Sequence, residues 1–171
     1  RSSAASDVYK RQGESIPKDL LERLINARSF NQGFQTVEYV ASALVDLEAH
    51  EVTDAEGFDA GAFEDKVLSR IEIPEAITMR HRMPHFAHVF SGDGYSAGYY
   101  SYLWSEVMDA DAFSAFEETG DIFDPDVAGR LADHIYSAGG RQDPADAYKA
   151  FRGRMPAIDA LLEKRGLNVP A

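Results

Sequence analysis

One stretch of the chain decides the fold: His88–Glu106, with the sequence HVFSGDGYSAGYYSYLWSE. It joins a histidine to a loop with two glycines and then to a segment rich in tyrosine. In that segment tyrosines recur at i, i+4 and i+7, with an acid at i+11, and this period belongs to one face of an α-helix. The spacing predicts a helix that runs to about Met108. Its polar face carries Tyr95, Tyr99, Tyr102 and Glu106.

The rest of this predicted helix divides into two further faces. One is mostly large and apolar, and we expect it to be buried. The other consists of small residues, which would let a neighbouring helix approach closely. The expected buried side comprises Ala97, Tyr100, Trp104, Val107 and Met108, and the small-residue stripe comprises Gly98, Ser101 and Ser105.

The tyrosine face allows two interpretations. Tyrosines at helical spacing are commonly half-buried core residues whose hydroxyls reach water. Alternatively they line a substrate cleft, because a phenol with a pKa near 10 stays protonated at neutral pH and donates a hydrogen bond. The loop favours the cleft, since Gly92 and Gly94 allow positive φ and movement. With His88, this loop and the phenols would form a hinged wall over a reacting carbonyl group.

Helical patterns account for most of the chain from about residue 14 onward, and no stretch alternates as a strand would. We therefore predict an all-α fold for residues 14–171, and at this chain length a single domain is the default. Residues 1–13 have no apolar period, and we expect a disordered or non-native flank there. Apart from the tyrosine segment, the predicted helices cover about 17–29, 35–50, 59–73 and 112–120, then 125–138, a helix from Pro144, and 156–166.

The chain is acidic, with 29 Asp and Glu against 17 Lys and Arg and a formal net charge of −12. This balance argues against a nucleic-acid partner, which needs clustered cations, and against attraction to an anionic membrane. No apolar run approaches the length of a membrane span, and no signal peptide is apparent. The absence of cysteine excludes disulfides and thiolate ligands. We expect a cytoplasmic protein, and the periplasm is also compatible with this composition.

Histidines form the most obvious metal-binding pattern. His81, His85 and His88 have spacings of four and three, which would align them on one helix face, and three histidines can hold a catalytic zinc. Pro84 interrupts that helix, so we expect His88 alone to serve an active site while the other two are structural. His50-Glu51 begins like an HExxH motif but lacks the second histidine, and it is more typical of a helix end.

The most distinctive block is Phe86–Val107, FAHVFSGDGYSAGYYSYLWSEV, and shorter blocks lie on both sides. Upstream is FNQGF at 30–34, and downstream are AGGRQDP at 138–144, FRGRMP at 151–156 and ALLEKRGL at 160–167. In content and order these blocks resemble the C-terminal part of the thimet oligopeptidase family of zinc metallopeptidases. The bacterial peptidyl-dipeptidase branch is the closer match. The resemblance covers about residues 14–167.

The resemblance implies a helical, two-lobed peptidase that cuts short peptides in a deep channel. It also implies that residues 14–171 are the C-terminal portion of the catalytic domain. In the family, zinc is held by the two histidines of HExxH and a later glutamate, all upstream of the matching segment. This chain is therefore expected to contain no metal ligand, and the Zn²⁺ would belong to its parent enzyme. By the same likeness, His88 and Tyr102 would be catalytic, binding the developing oxyanion. The expected substrate-binding residues are Tyr95, Tyr99, Gly92 and Gly94.

One feature departs from many family members: the loop from His88 to Tyr95 is longer, and Asp93 is the apparent extra residue. The sequence therefore does not determine the direction in which the Tyr95 side chain points. The resulting hypothesis is a C-terminal fragment of a peptidase, inactive alone, whose partners are short peptides and the missing N-terminal part of its domain. The alternative is a non-enzymatic, acidic, helical protein-interaction module.

Overall fold

The structure is a computed structural model that describes residues 16–167. Within that range it is helical and contains no β-strand, which confirms the predicted all-α class. The flank predicted for residues 1–13 lies outside the described residues. Short 3₁₀ turns and one π-helical turn (Ala132–Tyr136) connect or extend the helices. The α-helices are α1 Lys18–Asn26, α2 Gln32–His50, α3 Ala60–Arg70, α4 Ala87–Phe90, α5 Ser101–Glu117, α6 Pro125–Leu131, α7 Pro144–Arg152 and α8 Asp159–Arg165.

Aspartates start three of these helices, because a carboxylate accepts hydrogen bonds from the unpaired N–H groups of a first turn. Asp124 accepts from the N–H groups of the second and third residues after it, both at 2.9 Å. Asp143 does the same at 2.9 and 3.2 Å. In both cases proline follows the cap, as the sequence predicts. Asp59 caps α3 through one hydrogen bond of 3.0 Å.

The last helix ends as predicted but begins later. Gly166 is left-handed, with φ of 66°, and its N–H donates to the Glu163 carbonyl at 2.9 Å. Leu167 N–H donates to the Leu162 carbonyl at 2.8 Å, which completes a Schellman ending. The predicted start at Pro156 is wrong, because the helix begins at Asp159.

The tyrosine segment departs most from its prediction. The helix α5 begins at Ser101, so Tyr95 and Tyr99 precede it and do not share a helix face with Tyr102. A left-handed residue, Ala97 with φ of 53°, prevents an earlier start. The same helix continues to Glu117, since no glycine or proline lies inside it, so the separate helix predicted near 112–120 is wrong.

The expected buried side of this helix is also wrong in part. Tyr100 and Trp104 are about half exposed, and the buried residues of α5 are instead Ala110, Asp111 and Ala115. Packing decides the difference: α5 lies against α8, while Tyr148 of α7 contacts its middle. Aromatic character alone did not identify the side on which those helices pack.

Within residues 16–167, three clusters of buried apolar residues stabilise the fold. One joins α2 and α3 to the segment around Met79 and Met83, and another joins α5, α6 and α7 around Phe151. The third lies beneath the predicted site and comprises Ala43, Phe86, Val89 and Tyr99, with Tyr39 packed against it. Across residues 16–167, no helix has both the length and the apolar character needed to cross a membrane.

Candidate active site

An exposed group of polar rings lies where α4, the glycine loop and the start of α5 meet. We call His88, Tyr95 and Tyr102 the His88 cluster. The Tyr102 hydroxyl lies 3.1 Å from His88 Nε2, within hydrogen-bonding distance. The Tyr95 ring stacks on the imidazole, with 4.6 Å between centroids. Tyr95 is 58% exposed and Tyr102 is 46% exposed, so both phenols are accessible to a ligand.

Tyr99 lies below this cluster and does not share its exposure. It is 9% exposed, and its ring meets Phe86 edge to face at 4.9 Å and stacks on Tyr39 at 5.0 Å. Its edge also contacts His88, with 5.8 Å between centroids. This placement suits a supporting role better than the predicted contact with substrate.

Tyr39 on α2 joins the loop to the start of α5. Its hydroxyl donates a short hydrogen bond to the Tyr99 carbonyl and accepts one from the Leu103 N–H at 3.3 Å. Leu103 lies in the first turn of α5, where N–H groups have no partner inside the helix, and no neighbouring side chain caps them. Burial raises the pKa of the Tyr39 phenol, so its hydroxyl remains a donor at neutral pH.

Asp46, two turns further along α2, holds the loop itself. Its carboxylate is fully buried and accepts hydrogen bonds from the Ala97 N–H at 3.1 Å and the Tyr99 N–H at 2.9 Å. His50 Nδ1 lies 2.9 Å from the same carboxylate. Three polar contacts therefore converge on one buried side chain, which satisfies a group that would otherwise be costly to bury.

The loop glycines differ from their prediction. Neither Gly92 nor Gly94 adopts a left-handed conformation, and an added Cβ at either would meet nothing within 4 Å. The left-handed residue is Ala97. Gly98 is the glycine that allows a close approach, because a Cβ there would lie 3.1 Å from the Tyr95 carbonyl oxygen.

The His88 cluster can donate hydrogen bonds to a ligand, and buried residues lie beneath it. The rings and carboxylate beneath it are buried, while the phenols and imidazole above it are exposed.

A sequence model of peptidase family M3 matches residues 2–167, nearly the whole chain. The chain belongs to peptidase family M3. The match includes most of residues 1–13, which the resemblance from sequence left out.

Individual relatives of the chain include bacterial oligopeptidases and a bacterial dipeptidyl carboxypeptidase. It is 40% identical to oligopeptidase A of Haemophilus influenzae over 157 residues and 40% identical to oligopeptidase A of Escherichia coli over 160 residues. Identity to dipeptidyl carboxypeptidase of E. coli is 35% over 164 residues. These matches cover 91–94% of the chain but only 23–24% of the relatives. The identities give no preference for the dipeptidyl carboxypeptidase branch of M3 peptidases.

The other histidines of this M3 chain do not gather around His88. His81 stacks on Phe86, with 5.1 Å between centroids, and His85 ends a separate 3₁₀ turn. The continuous helix that would align the three histidines is absent, because α4 begins only at Ala87. Across residues 16–167, no three His, Cys, Asp or Glu side chains are placed to hold a metal ion.

Sequence reasoning missed the support that α2 gives to this candidate site. Tyr39, Ala43, Asp46 and His50 recur at i, i+4, i+7 and i+11, the helical period that was sought among the tyrosines. The available signal was Asp46, an acid within a run of mostly apolar residues in the helix predicted for about 35–50. His50 is the last residue of α2, which confirms the prediction that this histidine lies at the end of a helix.

Proposed function

We propose that this chain is the C-terminal portion of an M3 peptidase that hydrolyses short peptides, with residues 14–171 forming part of its catalytic domain. In the proposal, the His88 cluster supplies the wall that stabilises the oxyanion. The observation that carries it is the exposed pair of polar groups, the Tyr102 hydroxyl and His88 Nε2, which lie 3.1 Å apart. Family membership supports the reaction class.

Peptide hydrolysis places negative charge on the carbonyl oxygen of the scissile bond, and neutral donors stabilise that charge as it grows. A phenol O–H and an imidazole N–H can both donate to that oxygen. If His88 carries its proton on Nε2, it donates to Tyr102 in the free protein. The Tyr102 O–H is then free to donate to the substrate. Tyr102 and His88 therefore have the catalytic roles in this proposal.

Contact with the peptide is assigned to the exposed part of the loop. The Tyr95 ring covers one face of the imidazole and faces solvent, so it can pack against a substrate side chain. Gly92 and Gly94 have open space beside them, which leaves room for a peptide backbone. Tyr99 was predicted to bind substrate, and the proposal assigns it instead to the support of these groups, since its ring is buried beneath them.

We propose that the parent enzyme, and not this chain alone, binds the zinc ion. Residues 16–167 contain no group of ligands for it, so they do not fit the role of a metal centre. We assign the zinc ligands to the remainder of the parent, as the family resemblance implies. The roles given to His88 and Tyr102 do not require either residue to bind zinc. They require only that the scissile carbonyl lies within hydrogen-bonding distance of these two side chains.

Exposed apolar surface favours a fragment over a free-standing interaction module. Phe123 is 82% exposed and Phe30 is 74% exposed, and four apolar residues of α1 are each at least 40% exposed. A cavity of about 510 Å³ between α5, α6 and α7 is lined mainly by apolar side chains. Exposed apolar surface next to a groove of this kind is typical of a contact surface, so we assign it to contact with the rest of the parent.

Peptidase assays on two proteins test this function. The intact parent should release products from short peptides, measured by mass spectrometry, while the purified chain alone should release none. The chain alone should also bind a hydrophobic dye such as ANS. Hydrolysis by the chain alone would refute its assignment as a supporting wall. An inactive parent, together with a chain that does not bind dye, would favour the interaction module.

A further inference from the structure

The buried carboxylate of Asp46 is connected to the His88 cluster through the backbone of the loop. Its Oδ1 accepts from the Ala97 N–H and its Oδ2 from the Tyr99 N–H. The side chain has no exposure to solvent, and the two loop residues that donate to it are 51 and 53 positions away in sequence. No role in peptide binding follows from this position, since a peptide could not reach it.

The segment that Asp46 holds is strained. Ala97 adopts φ of 53°, in the left-handed region that a residue with a Cβ rarely occupies. Such a conformation persists only where the surroundings fix it. Both N–H groups that bind Asp46 lie in this turn, one on the left-handed residue itself. The carboxylate therefore fixes the path of the loop between Tyr95 and α5.

That path determines where the two exposed phenols lie. Tyr95 is two residues before Ala97, and Ser101, the first residue of α5, is two residues after Tyr99. Tyr102 is the second residue of α5, so an anchor at Tyr99 sets the position from which its hydroxyl reaches His88. A shift of the loop would move Tyr95 and Tyr102 together relative to the imidazole.

We propose that Asp46 is a positioning residue for peptide hydrolysis, holding the Ala97 and Tyr99 N–H groups so that Tyr102 and Tyr95 meet His88. This inference rests on the proposed function of the His88 cluster. It assigns to Asp46 no contact with the substrate. Its effect is expected in the chemical step, because a donor displaced by about 1 Å can cost on the order of 100-fold in rate.

The test substitutes Asp46→Asn in the intact parent enzyme. Asparagine keeps the size of the side chain but replaces one acceptor oxygen with an NH₂ donor, so one loop N–H would face another donor. We expect kcat to fall roughly 10- to 100-fold per folded molecule, with a much smaller change in KM.

A matched control is Asp111→Asn, on α5. Asp111 is also buried, at 1% exposure, and its carboxylate binds the Tyr148 hydroxyl at 2.8 Å and Arg154 at 2.6 Å. It lies nine residues beyond Tyr102, roughly 13 Å along the helix. Asp111→Asn should lower stability yet leave kcat per folded molecule within about twofold. An equal loss of kcat in both variants would overturn the proposal, because it would mark a general effect of destabilisation.

A double-mutant cycle with Tyr102→Phe distinguishes positioning from structure alone. If Asp46 acts by placing the Tyr102 hydroxyl, Asp46→Asn should cost only a few-fold in the Tyr102→Phe background. Fully additive losses would overturn the positioning role while leaving the proposed function intact. If Tyr102→Phe alone loses no activity, the proposed function fails, and this inference fails with it.

If the Asp46→Asn variant does not fold, amide hydrogen exchange measured on the unsubstituted parent tests the same proposal. The Ala97 and Tyr99 amides should exchange at least 100-fold more slowly than the exposed Gly94 amide in the same loop. Exchange at similar rates at all three amides would overturn the proposal, since it would show that the carboxylate does not hold the turn.

Discussion

Replacing Tyr39 with phenylalanine removes one oxygen atom and leaves the ring stacked on Tyr99. That oxygen has two partners in the structure: it donates to the Tyr99 carbonyl and accepts from the Leu103 N–H. The second bond caps α5 from a different helix, since no side chain near Ser101 caps it locally. Tyr39→Phe therefore removes a helix cap and a loop hydrogen bond while the 5.0 Å ring stack is kept.

The expected cost follows from these two bonds. Loss of a side-chain cap typically destabilises a protein by about 1 kcal/mol. Loss of the donor to a partly buried carbonyl adds about 1 kcal/mol. The free energy of unfolding should thus fall by about 2 kcal/mol, which for a domain of this size lowers Tm by roughly 4–8 °C.

Urea unfolding of the chain, followed by circular dichroism at 222 nm, measures this change directly. The control is Tyr136→Phe, which makes the same chemical change at a side chain that is 75% exposed. We expect the control to lie within about 0.5 kcal/mol of the unsubstituted chain. If Tyr39→Phe changed the free energy of unfolding by as little as the control does, the role of Tyr39 as a cap for α5 would be refuted.

Three further changes test other parts of the structure. Gly98→Ala places a Cβ 3.1 Å from the Tyr95 carbonyl oxygen, so the turn must shift; kcat/KM of the parent should fall about 10-fold, and unchanged kinetics would show that the turn is not needed. Asp143→Ala removes a cap with two hydrogen bonds from α7 and should cost about 1 kcal/mol in urea unfolding; no loss would contradict that capping role. Burial opposes ionisation of Asp111, but hydrogen bonds from Tyr148 and Arg154 and the charge of Arg152 lower its pKa below the ordinary value. Because the unfolded chain takes up that proton at higher pH than the folded chain, stability should fall as pH drops below about 4. In urea unfolding, the destabilisation caused by Asp111→Asn should then be largest near pH 7 and shrink below pH 4; a constant difference would contradict this.

Local rules predicted much of the helical framework. Asp124-Pro125 and Asp143-Pro144 start helices because the cap and its partners lie within three residues, so the sequence contains the whole interaction. The left-handed Gly166 follows equally local chemistry. The starts and ends that failed, such as Pro156, depend on how neighbouring segments pack.

The tyrosine segment shows why periodicity alone was insufficient. Tyr95, Tyr99 and Tyr102 have helical spacing, yet two of them lie in a turn, because Ala97 adopts a left-handed conformation that alanine rarely accepts. Asp46 and His50 compensate for it from 51 and 47 residues away. Such distant partners leave no local pattern around Ala97. The structure still brings Tyr95 and Tyr102 to His88, through a turn instead of a shared helix face.

The most direct measurement of the central claim is the kinetics of Tyr102→Phe in the intact parent, with Tyr136→Phe as the matched control. Removing one donor to an oxyanion typically costs about 2.7–4 kcal/mol of transition-state stabilisation. We therefore predict that kcat falls by roughly 100- to 1,000-fold in Tyr102→Phe, while KM changes little and the control retains full activity. An unchanged kcat, or a loss expressed only in KM, would contradict the assignment of the His88–Tyr102 pair to the oxyanion.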